Sequence, residues 1–287
     1  MKILVIGGTG LIGRPVVREL LKAGNEVGVG GRSPDNILAV FNKQVTPVGL
    51  SITDPQTLKG KFAGWDCLHL SLPSGPRFED SFKNEAGGTA NIVAEALSAG
   101  IQRISYLSGA TNLSADHSFP PARAKFQAES SIKSSGIPYT IWRASWFMDT
   151  LPKLARGGIV GVLGKGNSAP HWIAGHDFGK MVASSLQSVD TLNKTLYAFG
   201  PSPVSLNEAA RIYRDICHPG APIFHLPIPL ISFLASIAHL HEMWFGAQML
   251  RFLEVEPEFG DAAESNRIVG PATTTIEEFC HRLGNEI

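Results

Sequence analysis

Short apolar runs and longer helix-patterned stretches alternate through the first half of the chain. The runs Lys2–Ile6, Glu26–Gly30, Val45–Gly49, Asp66–Ser71, Arg103–Leu107 and Tyr139–Arg143 have the length of strands. Between them, helical spacing recurs near Leu11–Ala23, Pro55–Lys59, Glu79–Ala99 and Pro121–Ser135. Gly24, Gly100 and Gly136 close several of these stretches, and glycine most easily takes the left-handed conformation past a helix end. The strands read as continuous apolar runs, as expected when helices cover both faces of a sheet. This alternation predicts an α/β fold with a Rossmann-type, doubly wound parallel sheet.

Past Arg143 the rhythm loosens. Gly157-Gly158 and Gly164-x-Gly166 mark turns, Leu196–Phe199 reads as a further strand, and Ser205 with Glu208 has capping-box spacing. Ile228–Glu254 is mainly helical in pattern, and Glu256–Ser265 reads as mobile. The expected organisation is a dinucleotide-binding domain over residues 1–150 and a smaller, mixed α/β substrate lobe over 151–287, with a strand or helix free to return to the first domain.

Composition narrows the partners. The 287 residues carry 25 Lys+Arg against 25 Asp+Glu, so no general electrostatic pull favours nucleic acid or an anionic membrane. Hydrophobic residues make up 44% of the chain, which fits a large core. The apolar stretch Ile228–Leu240 is too short to cross about 30 Å of hydrocarbon and reads as a core or interface helix. Cys67, Cys217 and Cys280 are odd in number, widely spaced and set among apolar residues, so reduced, buried thiols are expected. The N-terminal run passes straight into Gly7 without the pattern of a secretory leader, and the expected compartment is cytoplasmic. A homodimer stays open.

The strongest chemical feature is Gly7-Gly8-Thr9-Gly10-Leu11-Ile12-Gly13, directly after a strand and opening a helix. Gly7 permits the sharp turn, Gly10 lets the backbone approach a pyrophosphate, and Gly13 allows close helix packing. The main chain of Gly7, Thr9, Gly10, Leu11, Ile12 and Gly13 then offers amides and a positive helix end to bound phosphate. A plain strand-to-helix turn is the alternative reading. An acid about 20 residues past the glycines would select NAD through the ribose hydroxyl. Here the second strand ends in Gly31-Arg32-Ser33, and Arg32 stands nineteen residues past Gly13. A guanidinium with an assisting hydroxyl suits a 2′-phosphate, so NADP(H) is the expected cofactor.

These residues resemble the atypical short-chain dehydrogenase/reductases of the NmrA-like and isoflavone-reductase-like type. The resemblance spans nearly the whole chain. It rests on Gly7–Gly13, Arg32-Ser33-Pro34, Thr53-Asp54-Pro55 and Tyr106-Leu107-Ser108. It continues in Lys125 with Glu129, Ser135-Gly136-Ile137-Pro138-Tyr139-Thr140-Ile141-Trp142-Arg143, Phe147-Met148-Asp149, and Trp172-Ile173 with Asp177. It implies a nicotinamide dinucleotide, a C-terminal lobe shaping a small-molecule pocket, and a helix-start role for Asp177. Leu72 and Pro73 would pass the ribose or pyrophosphate, and Lys125 would contact the ribose or carry a proton. Ser108 would polarise a substrate carbonyl or touch the nicotinamide side. Trp146, Phe147 and Met148 would face nicotinamide and substrate.

Departures accompany the matches. Where relatives place Asp against the adenine, this chain has Ser51-Ile52, with Asp54 expected as a helix cap. The family's Arg-Pro is Arg143-Ala144. The Tyr-x-x-x-Lys pair of short-chain dehydrogenases is broken, because Pro121 stands four residues before Lys125 and has no acidic proton. Lys125 alone can serve as acid or base when partly desolvated, while the plainer reading pairs it with Glu129 one helical turn on. His117 has a suitable intrinsic pKa to replace the tyrosine, although an exposed loop position is the plainer expectation. His171, His176 and Asp177 lack helical ligand spacing, and no metal is expected. Trp244, Phe245, Met249 and Phe252 fall at helical spacing, as core, dimer contact or pocket lining. Three functions follow: an NADPH-dependent reductase for an apolar, aromatic or quinone-like acceptor, an NADP(H)-binding redox sensor without turnover, and a non-redox isomerase or lyase on the same fold.

Overall fold

Consecutive side chains of a strand point to opposite faces, and the first strand, β1 (Lys2–Ile6), uses both. Ile3 and Val5 enter one apolar layer with Val16, Val17, Leu20, Phe178 and Met181. Leu4 and Ile6 enter the other with Leu68, Leu70, Ile92, Ile104 and Ile132. The computed structural model describes residues 1–284. Its further strands are β2 (Glu26–Gly31), β3 (Thr46–Gly49), β4 (Cys67–Leu70), β5 (Arg103–Gly109), β6 (Tyr139–Ala144), β7 (Ala155–Arg156), β8 (Ile159–Leu163), β9 (Lys194–Ala198) and β10 (Ile223–Leu226). Seven of them form one parallel sheet in the order β3-β2-β1-β4-β5-β6-β9, the expected doubly wound architecture. The chain reverses direction across the sheet between β1 and β4, and ligands of such folds bind at the carboxyl ends beside that point.

The helices are α1 (Gly13–Lys22), α2 (Pro34–Val40), α3 (Phe78–Ser81), α4 (Gly88–Ala99), α5 (Pro120–Ser134), α6 (Gly175–Gln187), α7 (Leu206–Cys217), α8 (Ile228–Ile237), α9 (His241–Val255), α10 (Ala263–Val269) and α11 (Ile276–Gly284). The apolar stripes of α1 and α6 cover one face of the sheet, and those of α4 and α5 the other. Residues beyond 150 thus supply both α6 and the edge strand β9. A second sheet, β10-β8-β7, builds the lobe, with Leu151, Val160, Val162, Leu206, Tyr213 and Phe279 in its core.

Several local expectations shift. The helix expected from Leu11 starts at Gly13, because Leu11 and Ile12 belong to the glycine turn. Pro55–Lys59 shortens to a single 3-10 turn over Pro55–Thr57, where Asp54 does cap by accepting from Gln56 N at 3.1 Å. The expected Glu79–Ala99 helix contains a π turn at Phe82–Gly87. Helix α2 is too short to announce itself by periodicity, yet Ser33 caps it and Pro34 opens it. Ser205 accepts from Glu208 N at 3.2 Å, as its spacing predicted. Among the described residues, no helix is long and apolar enough to cross a membrane.

Candidate functional site

The glycine turn follows β1 with Gly7 at φ +85°, in the region that favours glycine. A Cβ there would lie 2.1 Å from the Ser71 carbonyl, and one on Gly13 would lie 2.2 Å from the Gly7 carbonyl. The first contact fixes the turn against the chain leaving β4; the second lets α1 pack onto the turn. Gly10 is exposed, and a Cβ on it would meet only the Gly7 carbonyl, so its outer side stays open to a ligand. Gly10 N donates to Gly7 O at 3.0 Å, and Arg14 Nε to Thr9 O at 2.8 Å. Ile12 occupies the cap position without a side-chain cap, and no acid stands in the first turn of α1. Arg14 N and Val16 N already donate to the Gly10 and Ile12 carbonyls at 3.1 and 3.4 Å, and Pro15 has no N–H, so the amides of Leu11, Ile12 and Gly13 are the ones left for an anion, which the helix dipole favours.

The neighbouring strand ends complete this side. Arg32 leaves β2 as an exposed side chain. Ser33 Oγ accepts from Asn36 N at 3.4 Å, which leaves its hydroxyl hydrogen free to donate. After β3, Ser51 Oγ sits 3.3 Å from Thr53 Oγ1, while the Ile52 carbonyl accepts from Asn91 Nδ2 and its side chain covers Gly88. Leu72 and Pro73 follow Ser71, whose N–H joins Ile6 O at 2.9 Å as β4 ends. These residues follow the carboxyl ends of β2, β3 and β4, on the same edge of the sheet as the glycine turn after β1.

Farther along the carboxyl edge, the acid–base groups arrange themselves around two buried carboxylates. Lys125 Nζ donates to Glu85 Oε1 at 2.7 Å rather than pairing with Glu129. Glu85 also accepts from the Tyr106 hydroxyl at 2.6 Å and from Ser74 Oγ at 3.3 Å. Glu129 is taken by Arg143, whose Nε and Nη2 reach it at 3.0 and 2.9 Å, and by Lys133. Burial would raise the Glu129 carboxyl, but the Arg143 guanidinium outweighs it and holds it below the usual carboxylate range. Ser108 Oγ donates to Glu129 Oε1 at 2.8 Å, so its hydrogen is committed. Burial, with Glu85 behind it, pushes the Tyr106 hydroxyl well above the ordinary phenol range, keeping it a donor.

The lobe roofs this edge. Trp146 lines a narrow apolar cleft with Leu163, Pro170, Trp172, Leu250 and Leu253. Phe147 instead meets Phe178 edge-on at 5.5 Å. Met148 is 1% exposed inside the lobe core, so it backs the cleft rather than facing a substrate. Helix α9 sets Trp244 and Phe245 against Phe78, and stacks Phe252 on Phe119 at 4.3 Å. His117 is no exposed loop residue: its side chain is 8% exposed and its ring lies 5.7 Å from Phe252. The segment expected to be mobile is stitched down, with Phe259 N donating to Ala110 O at 3.0 Å and Glu258 binding Ser145 and His171. Asp177 stands in the first turn of α6 and accepts from the Thr273 and Thr274 amides at 3.1 and 2.8 Å.

Glu85 and Glu258 are the polar residues that sequence reasoning missed. Glu85 had a readable sign, since it lies seven residues before Ile92 on the inward stripe of its helix, where an apolar side chain belongs. Glu258 had none, because its partners come from two distant loops.

A parallel sheet, an uncapped helix behind a glycine turn and strand ends gathered at the reversal point define a dinucleotide-binding Rossmann protein. Residues 7–188 match the NAD(P)H-binding family, and the chain belongs to it. Its isoflavone reductase-like relatives agree with the NmrA-like, isoflavone-reductase-like group of atypical short-chain dehydrogenase/reductases that its sequence resembles. Eugenol synthase 1 of Petunia hybrida is 28% identical over 311 residues, covering 97% of both chains. An isoflavone reductase-like protein of Olea europaea is 25% identical, again over 97% of both. Among solved structures, the triphenylmethane reductase of Citrobacter sp. complexed with NADP(H) matches with a TM-score of 0.77, over 98% of this chain and 99% of that one. At 21% identity that likeness speaks for the fold.

Proposed function

We propose that the protein is an NADP(H)-dependent reductase acting on a small apolar acceptor, aromatic or quinone-like in shape. The observation that carries this reading is Lys125, an ammonium held by the buried Glu85 carboxylate beside Gly109 at the carboxyl end of β5. The glycine turn and the uncapped start of α1 fit a diphosphate, with Gly7, Thr9, Gly10, Leu11, Ile12 and Gly13 around it. Arg32 and Ser33 would grip a 2′-phosphate, Ser51 and Ile52 would border the adenine, and Leu72 and Pro73 would pass the ribose. A bound dinucleotide would supply the hydride. Lys125 would hold the nicotinamide ribose and give a proton to the anion that hydride addition leaves on the acceptor. Ser108, its hydrogen turned to Glu129, meets the nicotinamide side through its lone pairs. Trp146 would wall the acceptor from the cleft it lines. Relatives named eugenol synthase and isoflavone reductase-like protein support this reading.

The test is NADPH oxidation against a panel of quinones and apolar aromatic acceptors. Turnover with at least one acceptor is expected, with Lys125→Met lowering kcat about a hundredfold, the usual scale of a lost general acid. NADPH binding without oxidation by any acceptor overturns the reductase reading. That outcome would favour a redox sensor, which the proline at 121 and the committed Ser108 hydrogen already support. Cofactor choice is tested separately. Arg32→Asp should weaken NADPH about ten- to a hundredfold while leaving NADH nearly untouched, the scale of a lost charge-assisted bond. Equal loss for both would remove the 2′-phosphate role.

A further inference from the structure

We infer that Glu85 is a positioning residue for Lys125, held inside the protein by the π turn to fix where the lysine ammonium points. The inference rests on the reading of Lys125 as the group that reaches cofactor and acceptor. The helical run from Phe78 to Ala99 is interrupted at Phe82–Gly87 by that π turn, a rare feature that weakens the regular ladder and recurs at functional sites. Glu85 sits in it, fully buried. A carboxylate there is costly unless its oxygens are satisfied, and it destabilises the fold relative to an apolar residue of similar size. Its donors come from three separate elements: Tyr106 on β5 at 2.6 Å, Lys125 on α5 at 2.7 Å and Ser74, after β4, at 3.3 Å. Ser81, one turn earlier, donates to the Ser74 carbonyl at 3.1 Å. The same carboxylate therefore ties the lysine to the loop that carries Leu72 and Pro73.

Lysine needs such help. Its charge rides on a flexible four-carbon stem, and an unpaired ammonium samples many positions. A charge-assisted bond to an acceptor that is itself fixed by the Tyr106 hydroxyl removes that freedom. The Tyr106 ring lies 5.6 Å from Nζ and supports the cation from below. The other carboxylate within reach of α5, Glu129, is saturated by Arg143, Lys133 and Ser108. Each buried acid has its own cation, and the cation of Glu85 is Lys125.

The test is a double-mutant cycle read in NADPH affinity and in acceptor kinetics. Glu85→Gln keeps the size of the side chain and removes its charge. It should raise the NADPH Kd or lower kcat about tenfold, the scale of a charge-assisted bond. In a Lys125→Met background the same substitution should change neither, while thermal stability recovers because a stranded buried acid has been neutralised. A merely structural role would give equal losses in both backgrounds and overturns the inference. If Glu85→Gln does not fold, Tyr106→Phe removes only the hydroxyl that fixes Glu85. It should show a smaller loss of the same kind, again absent with Lys125→Met, and additive losses overturn the inference there too. Lys125→Met with unchanged affinity and turnover sinks the reading of Lys125 itself. Loss with Lys125→Met but none with Glu85→Gln and Tyr106→Phe sinks the positioning role alone.

Discussion

The sheet and the roof over its carboxyl edge are held together by different means. Strand side chains such as Ile3, Leu4, Leu68, Ile104 and Ile141 are fully buried between two helical layers. In the roof, α9 fully buries only Ala247, and α8 leaves Leu230, Phe233, Leu234 and Ile237 exposed. The roof is joined to the sheet domain by aromatic pairs and by side chains such as Glu258. Apolar burial contributes about 25 cal/mol per Å² over a large area, whereas a single hydrogen bond nets about 1 kcal/mol. The platform is therefore rigid, and the roof can open locally at far lower cost than the sheet can unfold. A site that must admit an acceptor and then exclude water is served by that division.

The largest effect is expected in the sheet platform. Gly7→Ala forces a side chain into a left-handed position and against the Ser71 carbonyl. It should destabilise the protein by about 3 kcal/mol or more in chemical denaturation and abolish NADPH uptake. Retained stability and binding would show that the turn is not rigid. The seam between α6 and the segment entering α11 comes next. Burial would raise the Asp177 carboxyl, but the Thr274 amide and hydroxyl, with His176 behind them, hold it below the ordinary range. Its folded pKa is depressed, so its contribution is fully present above the unfolded value of about 4 and fades as pH falls through the folded one. Asp177→Asn should cost about 1–3 kcal/mol at neutral pH. The stability gap to the unaltered protein should stay constant above about pH 4 and shrink below it, and a gap independent of pH there would refute the assignment. The smallest global effect belongs to the roof. Glu258→Gln should change overall stability by about 1 kcal/mol or less, yet speed hydrogen exchange at the Phe259 amide about tenfold. Unchanged exchange would mean that the segment is held by something other than Glu258.

How far the primary structure could be read follows the same division. The parallel sheet, the glycine turn and α5 came from local periodicity and turn chemistry, because each strand's apolar run and each glycine is sensed by its immediate neighbours. Helix α2 and the small β10-β8-β7 sheet escaped, being too short for a period to emerge. Lys125 could be singled out from its place in a motif, but its partner could not. Glu129 lay one turn away and looked sufficient, until Arg143 from β6 claimed it. His117 read as exposed because Phe252 lies far along the chain.

The order of residues alone determined the fold class, the phosphate-binding turn and the arginine at the end of β2. These depend on backbone conformation and on spacing within one strand–turn–helix unit. Tertiary structure alone decided which carboxylate holds Lys125, that the Ser108 hydrogen is committed, and that an acidic segment is stitched across the sheet's edge. Those outcomes rest on pairings between residues tens of positions apart, where desolvation makes a charge select whichever partner the packed elements bring within reach.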